Sequence, residues 1–300
     1  MTDYVELQVT THFSFLRGAS SCDELFARAK ALGLDALGVT DRNSLAGIVQ
    51  AHKAARAHDI RLIVGCRLDL RDGASLLVYP TDRTAYSRLC RLLSLGKGRA
   101  GKGRCDLDWE VLEAWCKGLI AIYVPDMADE TCAFSLRRLK ALFGDRAYLA
   151  LTLHRRPNDA MRLHELAQRA QQAGVPAVAT NDVLFHDPSR RLLQDVVTCI
   201  RHNCTIDELG FRRERHADRH LKPPSEMARL FSRYPEAVAR TREIMDRCAF
   251  DMSELEYQYP DEKSHPHLSP QETLEKFTWM GAERRYNAAM DYPDGVPDKV

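Results

Sequence analysis

Two rhythms of apolar and polar positions alternate along the first 180 residues. Short apolar runs at 5–9, 36–39, 61–68, 75–79, 119–124, 147–153 and 177–179 predict strands. Between most of them apolar residues recur every three or four positions, which predicts helices over 22–32, 44–58, 83–95, 130–143 and 159–173. The first of these stops at Gly33, the residue type a helix C-terminus favours. Strands separated by helices of about 10 to 15 residues imply βα units and a parallel sheet. About seven strands imply closure into a distorted βα barrel of TIM-like build. The fold class expected is therefore α/β.

After Pro188 the rhythm changes. Helices are predicted at 192–200, 225–232 and 235–248, the last opening with proline at its first position. A proline- and histidine-rich stretch, 257–270, predicts a linker, and a further helix follows at 271–286. The chain stops at Val300 without a closing element. The expected organisation is one domain over 1–250, then a linker and the beginning of a second domain over 251–300.

Composition narrows the partners. Lys plus Arg number 43 against 42 for Asp plus Glu. A chain that grips nucleic acid chiefly through its overall field would be clearly basic, so any DNA contact is expected mainly from other regions. Nine cysteines occur with no Cys-x-x-Cys pair, and the start Met-Thr-Asp-Tyr lacks a signal-peptide pattern. No apolar run approaches the roughly 18 residues needed to span a bilayer. Reduced thiols acting as small core residues, a cytoplasmic location and no membrane partner are the expectation.

Gly96-x-x-x-x-Gly101-Lys102 matches most of a phosphate-binding loop, but Gly103 stands where Ser or Thr must reach magnesium. The segment also follows a predicted helix, whereas a P-loop follows a strand. Lys97, Arg99, Lys102 and Arg104 are instead expected in a flexible basic loop, as candidate contacts to DNA or a partner.

Three loops follow predicted strands and carry the most specific pattern: Gln8-Val-Thr-Thr-His-Phe-Ser-Phe-Leu-Arg-Gly18, Thr40-Asp-Arg-Asn-Ser-Leu-Ala-Gly47 and Thr180-Asn-Asp-Val-Leu184. Strand ends are where a βα barrel holds active-site loops in register. With Ile63-Val-Gly-Cys-Arg67, these motifs resemble the polymerase and histidinol phosphatase (PHP) domain. Residues 13–20, 190–201 and Arg219-His-Leu-Lys-Pro223 resemble, more narrowly, the error-prone branch of bacterial C-family DNA polymerases (DNA polymerase III alpha-subunit-like).

The resemblance implies a seven-stranded barrel whose active members bind metal ions at the mouth and hydrolyse phosphoesters. Carried over residue by residue, the first motif's metal-binding histidines fall on Gln8 and Thr10 and its aspartate on Arg17. The second motif's histidine falls on Arg42, and the glutamate after the third strand on Arg67. In the last motif the aspartate survives as Asp182, while its partner histidine is Leu184. Divalent ions need several converging deprotonated donors, and three guanidiniums carry fixed positive charge. At an effective dielectric of about 20, two unit charges some 4 Å apart repel by about 4 kcal/mol. The arginines are expected to replace the cations by pairing with Asp41 and Asp182. The histidines nearby are His12, His154 and His186; His12 and His154 with Asp182 are the candidate members of a rebuilt metal site. His202, His216 and His220 lie in a basic run expected to form a solvated loop face, and His265 and His267 lie in the linker.

The function implied by the resemblance is template-directed DNA synthesis across lesions, in DNA repair and the damage response. The family's magnesium ions are held by palm aspartates beyond position 300. On that basis these 300 residues hold no catalytic residue or cofactor, and full-length chemistry uses Mg2+. DNA, a sliding clamp and translesion accessory factors are the implied partners. Two alternatives stay open: a metal-dependent phosphoesterase or proofreading exonuclease on the same barrel, and a non-catalytic module that binds DNA or a partner.

Overall fold

The computed structural model describes residues 4–214, 216–256, 265, 267–287 and 295–297. Two compact units divide the chain, Met1–Glu254 and Leu255–Val300. In the first, β1 (Glu6–Val9), α1 (Cys22–Ala31), β2 (Ala36–Arg42), α2 (Ile48–His58), β3 (Arg61–Asp69) and β4 (Ser75–Pro80) follow in order. Next come α3 (Arg83–Arg99), α4 (Trp109–Trp115), β5 (Leu119–Tyr123), α5 (Glu130–Phe143), β6 (Ala147–Leu151), α6 (Asp159–Gln172) and β7 (Ala177–Ala179). The unit continues through α7 (Arg191–His202), α8 (Pro224–Leu230) and α9 (Pro235–Arg247).

The seven strands lie in one sheet in sequence order. The sheet curls until its edges meet. Val9 bridges Val183 just beyond β7, where Thr10 N–H donates to the Val183 carbonyl at 2.9 Å and Val183 N–H to that of Gln8 at 2.8 Å. The seven-stranded α/β architecture is as expected, but the sheet is not purely parallel. β4 runs antiparallel to both β3 and β5. Its link to β3 is a short turn in which Leu70 N–H donates to the Ala74 carbonyl. A parallel crossover needs a dozen or more residues, so this connection permits only a hairpin.

Inward-facing Val5, Leu7, Ile63, Leu77, Ile120 and Ile122 fill the barrel, and Ile244 and Met245 of α9 join the same cluster. Truncating one such side chain, for example Ile122→Ala, costs about 2–5 kcal/mol. Tyr79 crosses this interior and donates its hydroxyl to the Leu7 carbonyl at 2.5 Å. Its ring fits because position 65 is glycine: a Cβ there would stand 2.7 Å from the Tyr79 ring. α9 covers the end at which the parallel strands begin, where Arg61 donates to the carbonyls of Met245 and Cys248. The opposite, C-terminal end is left open as a mouth.

Several helix bounds differ from expectation. α3 runs on to Arg99, through glycines that read as breakers, because Gly96 is buried against Leu107 and Cys105. α4 was not predicted; at seven residues it is too short for a clear period, and Asp108 starts it by accepting from Val111 N–H at 2.9 Å. α2 begins at Ile48 and not at 44, since residues 44–47 form the loop after β2. All nine cysteines are free thiols, six of them buried. Among the described residues no helix is long and apolar enough to cross a membrane.

In the second unit, α10 (Pro270–Arg285) starts at a reciprocal cap between Ser269 and Glu272, with proline at the first turn. His265 Nε2 lies 3.5 Å from Lys276 Nζ. Most of the predicted linker, 257–264 and 266, lies outside the described residues.

Candidate functional site at the barrel mouth

The loop after β1 is organised by Asp41, at the end of β2. Its carboxylate accepts from Thr11 N–H at 2.9 Å, the Thr11 hydroxyl at 2.8 Å and the Ser14 hydroxyl at 2.7 Å. Burial pushes Asp41 above the ordinary carboxylate value, and these donors hold it back. The expected pairing of the mouth arginines with Asp41 is therefore not what the structure contains. Asp41 is spent on hydroxyls and a backbone amide, which fix the loop.

The arginines converge instead on Asp69 and Asp182. β2 and β3 are in register, with Arg42 opposite Arg67, so both guanidiniums emerge at the mouth side by side. Arg42 Nη1 lies 2.5 Å from Asp69 Oδ2, and Arg67 Nε lies 3.2 Å from Asp69 Oδ1 and 2.9 Å from Ser75 Oγ. Ser75 also donates to Asp69. Arg67 reaches across to Asp182 Oδ1 at 3.7 Å. The second partner of Asp182 is Arg219, whose Nη2 lies 2.5 Å from Oδ2 while its Nε donates to the Asp182 carbonyl at 2.9 Å. Glu214 accepts from the other arm of Arg219 at 2.7 Å.

The electrostatics follow. Burial raises Asp182, but Arg219, Arg67 and His154 outweigh it and hold the carboxyl far below its ordinary value. For Asp69 too, Arg42 and Arg67 outweigh burial and bring it down. Arg42 is pushed down to about 10 by burial and by Arg67 beside it.

The other positions the resemblance singles out, Gln8, Thr10, Leu184 and Arg17, form no metal donor set among the described residues. Gln8 is buried, accepts from the Thr180 hydroxyl at 2.8 Å, and leaves its Nε2 without a hydrogen-bond partner among the described residues. Thr10 is buried at the barrel seam, and Leu184 packs with Ala19 and Phe185. Arg17 is half-buried and makes no ion pair among the described residues. The expectation that it pairs with Asp41 or Asp182 is corrected on that ground.

The candidate rebuilt site is not assembled. His154 and Asp182 line one cavity of about 960 Å3 at the mouth. His12 lies elsewhere, exposed beside Phe13 with ring centroids 4.6 Å apart, in a shallow depression with Cys22, Asp23 and Lys53. The loop turns it outward because its backbone N–H and ring nitrogen are both drawn to the Ser20 carbonyl. His186 hydrogen-bonds Ser20 at 2.8 Å, and His220 the Ala217 carbonyl at 2.7 Å; His202 and His216 are exposed. Among the described residues no three His, Cys, Asp or Glu side chains converge as a metal would require. The donors that do face the mouth, Asp69 and Asp182, are already engaged by guanidiniums, so the residues present do not fit a divalent cation.

Lys97, Lys102 and Arg104 line a second cavity beside the mouth, while Arg99 turns away to Asp108 at 3.7 Å. Lys97 and Arg99 belong to α3, so only Lys102 and Arg104 stand on a loop. Sequence reasoning missed Asp69, Arg219, and the buried pair Glu6 and Lys222 below the mouth. Glu6 accepts from the Tyr4 hydroxyl at 2.7 Å and Gln8 N–H at 2.8 Å, and burial raises it to about 7. Lys222 Nζ donates to Asn181 Oδ1 at 3.0 Å.

Comparison with known proteins agrees with this architecture. The family profile described as the PHP domain matches residues 6–149. Error-prone DNA polymerase 1 of Agrobacterium fabrum is 65% identical over 297 residues, covering 99% of this chain and 27% of that protein. Error-prone DNA polymerase 2 of the same organism is 62% identical with the same coverage. The error-prone DNA polymerase of Caulobacter vibrioides is 48% identical over 299 residues, again 99% and 27%. The chain thus spans about a quarter of the length of the relatives it matches. It carries a PHP domain and is similar, over nearly its whole length, to a quarter-length segment of these error-prone DNA polymerases.

Proposed function

We propose that this chain is the PHP portion of an error-prone DNA polymerase whose barrel mouth serves as a non-hydrolytic, ion-paired scaffold. The observation that carries this reading is the substitution of cations by guanidiniums: Arg67 and Arg219 clamp Asp182, and Arg42 and Arg67 clamp Asp69. Side chains then do the work of bound metal in joining the ends of β2 and β3 to Asp182 after β7 and to Arg219. They supply no Lewis acid and activate no water.

Residues 1–250 form the scaffold on this proposal, and 251–300 lead toward a palm domain. Translesion DNA synthesis, Mg2+-dependent nucleotidyl transfer and contacts to a sliding clamp or accessory factors belong to the rest of such a polymerase. A cytoplasmic location fits the free thiols. The test is elemental mass spectrometry of the chain after equilibration with zinc and manganese, beside a phosphodiester hydrolysis assay. Less than about 0.2 ion per chain and no hydrolysis are expected. About two ions per chain with metal-dependent hydrolysis would replace this reading with the phosphoesterase one.

A further inference from the structure

The second cavity, about 680 Å3, opens beside the paired mouth. One wall is the loop at 13–17, the other the tail of α3 with the segment 100–105, and Arg201 of α7 closes it. Six cationic side chains face it: Arg17, Arg42, Lys97, Lys102, Arg104 and Arg201. Among the described residues Asp69 is the only carboxylate lining it, and that is already shared between Arg42 and Arg67. Arg17, Lys97, Lys102 and Arg104 have no ion-pair partner among the described residues.

Both walls are held in place. Arg201 Nη1 donates to the Leu16 carbonyl at 3.1 Å, and Gln194 Nε2 to that of Arg17 at 2.9 Å. Leu16 is pinned in the left-handed region, φ 57°. Across the cavity, Asp106 N–H donates to the Gly96 carbonyl at 2.8 Å, and a Cβ at Gly96 would strike Leu107 at 2.6 Å. Gly96 is thus a packing glycine that brings the basic segment back against its own helix. Phe15 stands at the rim with 82% of its surface exposed.

Like charges gathered around a single carboxylate that Arg42 and Arg67 already share are relieved by an external polyanion. A spaced row of cations beside an exposed aromatic ring is the arrangement that follows a flexible phosphodiester chain and stacks its bases. We propose that this cavity binds single-stranded DNA, with Arg17, Arg201, Lys97, Lys102 and Arg104 contacting backbone phosphates and Phe15 stacking on one base. The choice of DNA over RNA rests on the polymerase reading; the cavity itself does not.

The experiment is fluorescence anisotropy of the 300-residue chain with labelled dT12 and an abasic 12-mer, over a salt series, with tripolyphosphate as competitor. K102E, on the exposed segment, and R17A, whose guanidinium makes no ion pair among the described residues, are each expected to weaken both oligonucleotides about tenfold. The slope of log affinity against log salt should fall by about 0.7 for each phosphate no longer neutralised. F15A should weaken dT12 about tenfold and leave the abasic strand unchanged. Circular dichroism melts of all three variants confirm folding. Unchanged dT12 affinity in folded R17A and K102E would overturn the proposal. So would tripolyphosphate binding as tightly as dT12 with no effect of F15A, which would mark a site for free phosphoanions. Metal uptake would sink the scaffold reading without altering these affinities, so the two failures are distinguishable.

Discussion

On one side of the mouth Arg42, Arg67 and Arg219 converge on Asp69 and Asp182; on the other, Arg17, Arg201, Lys97, Lys102 and Arg104 face a cavity whose one carboxylate is already taken. The first group ties the ends of β2 and β3 to the loop positions Asp182 and Arg219, and the second is carried on loops and helix ends. A guanidinium between two carboxylates at the base of the mouth contributes to stability, because withdrawing either carboxylate leaves a desolvated guanidinium with only part of its counter-charge. A half-buried guanidinium among other cations contributes nothing to stability and keeps its capacity for an outside anion. The same residue type therefore serves structure on one side and binding on the other. What differs is where the carboxylates sit.

The sharpest way to break this comparison is Asp182→Asn. Asp182 has φ 47°, in the left-handed region that Asn tolerates as well as Asp does. The change therefore removes charge without backbone strain. Arg67 would keep Asp69 and Arg219 would keep Glu214, but both lose their shared counter-ion, and a loss of about 3 kcal/mol in urea unfolding is expected, the low end for breaking a buried pair. A loss under about 1 kcal/mol would mean the paired side is no more structural than the open one.

The pH dependence should separate the mouth from the layer beneath it. Asp69 and Asp182 are held below their ordinary value, so their contribution is present above 3.8 and is lost as pH falls through their lower folded values. Glu6 is raised from 4.5 to about 7, chiefly by burial. Its protonated form is the better accommodated one, so its contribution is complete below 4.5 and is lost as pH rises through about 7. Wild-type stability should fall by about 2–3 kcal/mol more than that of Glu6→Gln between those limits. Parallel urea-derived stability curves for the two proteins would refute the assignment.

A third, smaller effect belongs to the open side. Tripolyphosphate at about ten times its dissociation constant should add about 1.4 kcal/mol to wild-type stability. Arg17→Ala should lose most of that gain in thermal shift, while Asp182→Asn should keep it. Equal gains in all three would mean that the anion binds elsewhere.

Legibility differed between the two sides for physical reasons. The seven strands and the longer helices follow from local periodicity, but α4, the far end of α3 and the direction of β4, which depends on the short link at 70–74, did not. That Gln8, Thr10, Arg17, Arg42, Arg67 and Leu184 offer no set of strong metal donors was readable from residue type. Which carboxylates the arginines chose was not. Asp69 belongs to the end of β3, and Arg219 comes 37 positions after the aspartate it clamps. Pairing over that distance leaves no period in the sequence. The Arg219-His-Leu-Lys-Pro223 stretch was visible as a motif, yet nothing in it named Asp182. His12 misled for the reverse reason: its position in the loop placed it at the mouth, but its hydrogen bond to Ser20 turns the ring outward.

The smallest effect expected is the most pointed. In the absence of any anion, Arg17→Ala should change unfolding stability by no more than about 0.5 kcal/mol, although Arg17 lines the same cavity as the ion-paired Arg42 and Asp69. Its backbone is held by Ser14 and Gln194, and those contacts do not involve the guanidinium. Burial and Arg67 both disfavour its charge, and Asp69 only partly offsets them. Removing it even relieves some repulsion on Arg201, which is lowered by burial and then by Arg17. A clear destabilisation, on the order of 2 kcal/mol in calorimetry, would show that Arg17 is paired after all and would merge the two sides into one structural network.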